Sequence, residues 1–161
     1  MINDLINALG ERIESEINEN GYLPFLKSVQ YSPLVNVKST DSPALTFCLT
    51  NLGEYVATAN QVKVSMQFGI FIALAQTATV EESARLAQGY LWKYGENNSK
   101  DTGLIPWLSW FAKNRRITDS KRNVWRLIVQ DSPQLYNEET GTNVRSAIFQ
   151  LVTLESEISV R

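Results

Sequence analysis

Residues 61–75, QVKVSMQFGIFIALA, decide how the rest of the chain is read. Val62, Val64, Met66, Phe68, Ile70, Ile72 and Leu74 fill every even position, while Lys63, Ser65, Gln67 and Gly69 hold the first odd ones. A period of two sustained this long is a β-strand with one face fully buried. Beyond Gly69 the odd positions turn apolar too, at Phe71, Ala73 and Ala75, so the second face also needs cover there. At ~3.3 Å per residue the stretch would span about 50 Å, whereas a compact domain of this length is about 40 Å across. Two outcomes fit: Gly69 bends or bulges the strand within one subunit, or the strand's end projects and meets another subunit.

Upstream, residues 44–51 (ALTFCLTN) are rich in β-formers and read as a strand closed by Gly53. Residues 55–57 form a short partner segment, and the turn at 58–60 leads into the central strand, which makes an antiparallel meander or hairpin the first expectation. Between Tyr22 and Pro43, prolines at 24, 33 and 43 punctuate short extended pieces, with 28–31 and 34–38 as candidate strands. At the start, Ile2, Leu5, Ile6, Leu9, Ile13 and Ile17 lie on one stripe of a 3.6-period helix over residues 2–19. Asn20-Gly21 is its expected stop, with Gly21 in the left-handed cap conformation.

Downstream, Thr79 and Glu82 form a capping box that opens a helix over residues 80–94. Its expected buried stripe is Val80, Ala84, Ala87, Leu91 and Tyr94, and Gly95 ends it. ENNSKDTG (96–103) reads as a mobile polar loop. Pro106 is placed as the first residue of a short helix whose one face carries Trp107, Trp110 and Phe111. Residues 123–130 (NVWRLIVQ) read as a strand with Trp125, Leu127 and Val129 on one face; Asp131-Ser132-Pro133 ends it. A turn at 140–143 precedes the terminal strand 144–155, where Val144, Ile148, Val152 and Leu154 face one way and Ala147, Phe149 and Leu151 the other. The expected fold is a single α+β domain over residues 1–161. Its mostly antiparallel sheet has a long central strand and is packed by the N-terminal helix and the second helix.

Composition narrows the chemistry. The chain has no histidine, the commonest general base and metal ligand. Cys48 is its sole cysteine, so an intrachain disulfide and a cysteine-built zinc site are both excluded. No G-x-G-x-x-G, G-x-x-x-x-G-K-[ST] or G-x-S-x-G motif occurs. The acidic pairs Glu81-Glu82, Glu138-Glu139 and Glu155-x-Glu157 read as a helix start, a turn and a solvated strand end, although paired carboxylates can do acid–base or magnesium work. No catalytic residue, cofactor or metal is expected. A net charge of −2 argues against a general nucleic-acid binder. The opening MINDLINALGERIE lacks the basic and apolar regions of a signal peptide, and no apolar run of membrane-spanning length occurs. Synthesis in the cytoplasm, with no membrane partner, is the expectation.

What the sequence favours is assembly. Between Lys113 and Arg126 lie six bases (Lys113, Arg115, Arg116, Lys121, Arg122 and Arg126) against Asp119 alone, while residues 1–20 and 131–157 each carry a net −4. Such separation orients subunits against each other, or presents a basic rim to phosphate. Trp107, Trp110 and Phe111 either close the core as a satellite cluster or anchor a protein contact, since Trp and Arg concentrate at interface centres. The candidate interface residues are therefore Trp107, Trp110, Phe111, Arg115, Arg116, Lys121 and Arg122, with Phe71 on the second face of the central strand.

The order of elements, carried by MINDLINALGERI, ALTFCLT, VKVSMQFGIFIAL, VEESARLAQGYLWKYG and VRSAIFQLVTL, resembles the tail terminator proteins of long, non-contractile-tailed bacteriophages. That family has no invariant catalytic or binding motif, so no site residue is carried over by position. The resemblance implies a homo-oligomeric ring, usually a hexamer, at the head-proximal end of the virion tail. Its partners would be the tail tube protein and the head connector or completion protein, with DNA passing through the lumen unread. The alternatives are another head-completion or tail tube component, an enzyme with a carboxylate-held magnesium, and a nucleic-acid module using the basic segment.

Overall fold

Residues 2–30, 43–52, 56–57, 60–114, 116–129 and 131–159 are described by the structure, a computed structural model. The central stretch forms β4 (Gln61–Ala73), which pairs without a break with the terminal strand β8 (Asn143–Ser159). This antiparallel ladder runs from Gln61 opposite Ser159 to Ala73 opposite Ala147. Beyond it, Leu74 N–H donates to the Ser146 carbonyl, and Thr77 exchanges hydrogen bonds with Val144.

This two-strand spine has different neighbours at its two ends. On one side β2 (Ala44–Leu52) pairs antiparallel with residues 66–73, and β3 (Val56–Ala57) with Val62 and Lys63. On the other, β7 (Gln134–Thr140) pairs with residues 143–149 and β6 (Val124–Val129) with residues 152–155. A parallel strand, β1 (Ser28–Gln30), flanks β2, and β5 (Ile117–Thr118) edges β6. The eight strands among the described residues thus form one mostly antiparallel sheet in the order β1-β2-β4-β8-β6-β5, with β3 and β7 off that path. With three helices among the described residues the fold is α+β. The expected antiparallel pairing of residues 44–51 with the central strand is present, and the candidate strand at 34–38 lies outside the described residues.

One core holds helices and sheet together. Val64, Met66, Phe68, Ile70 and Ile72 of β4 join Ile148, Val152 and Leu154 of β8 and Trp125 and Leu127 of β6. Against them lie Leu5, Leu9 and Ile13 of α1 (Ile2–Glu14), Ala87 of α2 (Val80–Leu91) and Trp107, Leu108 and Phe111 of α3 (Leu104–Asn114). Each fully buried Leu, Ile or Phe contributes roughly 1.5–3 kcal/mol. All three helices therefore serve the even-numbered face of β4.

Four local expectations are corrected. Helix α1 ends at Glu14, five residues early, because the Ser15 hydroxyl donates to the Arg12 carbonyl that residue 16 would need. The chain then tightens, with Glu16 N–H on the Ile13 carbonyl and Ile17 N–H on that of Glu14. Gly21 is not in the left-handed region; it is required because a Cβ there would meet the Glu16 carbonyl. Gly69 neither bulges nor interrupts β4, since its register is continuous on both sides; the shift lies in β2, between Leu49 and Asn51. Finally, α2 stops at Leu91, leaving Tyr94 76% exposed and Val80 at the surface, with Ser83 and Ala87 its buried residues.

Candidate functional site

Pro106 sits in the first turn of α3 rather than at its first position, where a missing N–H still costs nothing because first-turn donors lack intrahelical partners. The helix turns Trp107 and Phe111 fully inward, their rings 5.7 Å apart. These two are core residues, as the first of the two readings offered for the cluster expects, and they drop out as interface candidates. Trp110 is half-buried, 5.4 Å from the ring of Tyr22, and the Lys100 ammonium lies 4.0 Å from the centre of that same ring. The preceding loop, expected to be mobile, is tied down. The Asp101 carboxylate accepts from Trp92 Nε1 and Gly95 N–H, both at 2.9 Å. Those bonds, the Gly95 one foremost, hold the Asp101 carboxyl below its usual range.

After α3 the chain turns back through β5 into a tight connection organised by Asp119. This carboxylate is 5% exposed and accepts from Lys121 N–H (3.0 Å), Asn123 N–H (2.9 Å), Asn123 Nδ2 (3.1 Å) and Trp125 Nε1 (3.0 Å). Burial pushes its carboxyl up, but the bonds from Trp125, Asn123 and Lys121 together outweigh it and leave the group below its ordinary value. Composition singled out Asp119 as the lone acid of a basic segment and missed this role. The signal was there in Asp-Ser-Lys, since an Asp whose side chain binds the N–H two residues on is an Asx-turn.

The turn presents Lys121 and Arg122 to an open concavity of about 1020 Å³, at the end of the sheet where β4 begins and β8 finishes. Among the described residues five cations line it: Lys63, Arg116, Lys121, Arg122 and Arg126. Glu155 and Glu157 are the acids among these described residues, and Glu155 bridges Lys63 at 3.8 Å and Arg126 at 3.6 Å. Arg116, Lys121 and Arg122 are exposed, and no carboxylate among the described residues pairs with them. Ser156 Oγ donates to the Val124 carbonyl at 2.7 Å and pins β6 to β8 along the wall. The structure thus gathers three of the predicted interface residues, Arg116, Lys121 and Arg122, into one surface. Arg115 lies outside the described residues.

Phe71 belongs to a separate surface on the face of the sheet away from the core. Its ring is 4.6 Å from that of Phe149 on β8, and Tyr136 of β7, 53% exposed, meets Phe149 edge-on at 6.1 Å. Gly69 makes this cluster possible, because a Cβ there would stand 2.7 Å from the Phe149 ring. By register Ala73, Ala147 and Leu151 share the face, all partly exposed. None of the three helices packs on it among the described residues. The same face becomes charged towards the concavity, with Lys63, Arg126 and Glu155.

Among the described residues no group of His, Cys, Asp or Glu is arranged to hold a metal ion. The closest acidic pairs take separate places: Glu82 accepts Ala78 N–H at 3.1 Å while its own N–H donates to Thr79 Oγ1, completing the cap of α2. Glu138 and Glu139 lie in strand β7, not in a turn. Compared with known proteins, the chain matches no family model and no curated protein.

Proposed function

We propose that this protein is a structural virion subunit, a tail terminator of a long, non-contractile-tailed bacteriophage. In this reading several copies close into a ring on the last layer of the tail tube, stop its growth and offer a docking face to the head. The observation that supports it most is the face of the sheet on which none of the described helices packs, where Phe71, Phe149 and Tyr136 stay partly exposed beside the longest strand pair. A contiguous apolar patch of this kind suits burial against another protein. The resemblance described above, which rests on the order of helices and strands, is the reason for reading that assembly as a tail terminator ring.

The mechanism is geometric rather than chemical. A contact between unlike surfaces, repeated by rotation, closes a ring and ends growth in the plane. Growth along the tail stops because one ring face matches the tube while the other offers no layer-adding edge. DNA passes through the lumen without being read. Mixing the purified protein with capless tail tubes and imaging by negative stain tests this. A ring at one tube end, with tubes of fixed length, is expected. Failure to bind tube ends, or growth of the protein itself into long tubes, contradicts it, and the latter result would point to a tube protein.

A further inference from the structure

Building on the ring reading, we infer that successive copies join head to tail, with the acidic hairpin end of one copy seated in the basic concavity of the next. The two surfaces stand at opposite ends of one strand. β8 leaves the β7–β8 hairpin at Asn143 and reaches the concavity at Glu155, about 40 Å of strand at ~3.3 Å per residue. At the hairpin end Glu138 and Glu139 are exposed, and Gly141, with φ 62°, makes the tight turn. The bridge between Thr77 and Val144 brings the start of α2 alongside, adding exposed Glu81 and Glu82. Among the described residues the bases beside that hairpin are Arg85 and Arg145, two against four acids; of the described residues lining the concavity the balance is reversed, five bases to two acids.

Charges at the two ends of a subunit cannot neutralise each other within it, but they match across two copies. The three cations without an ion pair among the described residues, Arg116, Lys121 and Arg122, are the natural seats for incoming carboxylates. Asp119 fixes the backbone that carries Lys121 and Arg122, so little ordering is left for the moment of contact. Because the two patches differ, the contact is heterologous and propagates to a ring. A side-by-side antiparallel pair would also match the charges, but it stops at two copies.

Two charge-reversed variants test this: Lys121→Glu with Arg122→Glu, and Glu138→Lys with Glu139→Lys. Each has poles of one sign, so each alone should associate at least about tenfold more weakly than wild type by sedimentation velocity. An equimolar mixture should recover particles larger than dimers, since every junction then pairs opposite signs. Circular dichroism checks that each variant is folded, and neutral Arg122→Gln and Glu139→Gln should give graded weakening if a reversal misfolds. Variants that assemble like wild type overturn the inference while leaving the ring reading intact; so does a mixture that fails to recover or stops at dimers. So too does a variant that loses only duplex DNA binding, which would make the concavity a phosphate surface. A wild-type chain that never associates removes both readings together.

Discussion

Asp119 shows how one residue can set a surface it hardly touches. It supplies acceptors to two backbone N–H groups, an amide and the buried indole of Trp125, and so shapes the turn that displays Lys121 and Arg122. Asp119→Asn puts an amide N–H₂ among donors and should cost roughly 2–4 kcal/mol, from lost charge-assisted bonds and an orphaned donor. Its folded carboxyl is held below the unfolded value, so the unfolded chain binds more protons as pH drops below about 4. The contribution of Asp119 is therefore fully present above that pH and lost as pH falls through the lower, folded value. Urea unfolding of wild type and Asp119→Asn at pH 7 and pH 3 checks this: the gap in stability should be widest at pH 7 and shrink in acid. An equal gap at both pH values would mean the carboxylate's charge is not what holds the turn.

At the scale of elements, the aromatic helix α3 divides its labour by burial. Trp107 is enclosed on all sides, whereas Trp110 leans on Tyr22 at the surface. Trp107→Ala should lower unfolding free energy by about 3–5 kcal/mol. Trp110→Ala should cost visibly less and leave the monomer folded, as chemical denaturation of the two would measure. Comparable losses would place both rings in the core. Which elements the sequence revealed follows from the same distinction. β4 and β8 were legible because their period-two patterns are long and dictated by burial. β7 was not: QLYNEET carries few β-formers and becomes a strand because β8 offers it an edge next to a tight glycine turn. The stripe on α1 was legible, but its end was set by a serine back-bond that periodicity does not register. Of the site, the basic residues were visible as a cluster in sequence. Their shared concavity needed Lys63 and Glu155 from two other strands, which no local pattern joins.

The whole molecule presents two kinds of unfinished surface on one sheet. Its core-side face is closed by three helices, while its other face runs from an aromatic patch to a charged rim. Among the described residues, the expectation that something must cover the second face of β4 is met only in part, by Phe149 and Tyr136. Covering the remainder is the work assigned to neighbouring subunits. The strand length that first suggested projection is instead absorbed by pairing with an even longer partner, β8. The partly exposed aromatic face beside this spine, more than the length of the strand itself, carries the case for assembly. Native mass spectrometry of the purified wild-type protein across micromolar concentrations tests that case most directly. A single closed species of fixed copy number, six by the resemblance, is the expected result; a monomer at every concentration would contradict it.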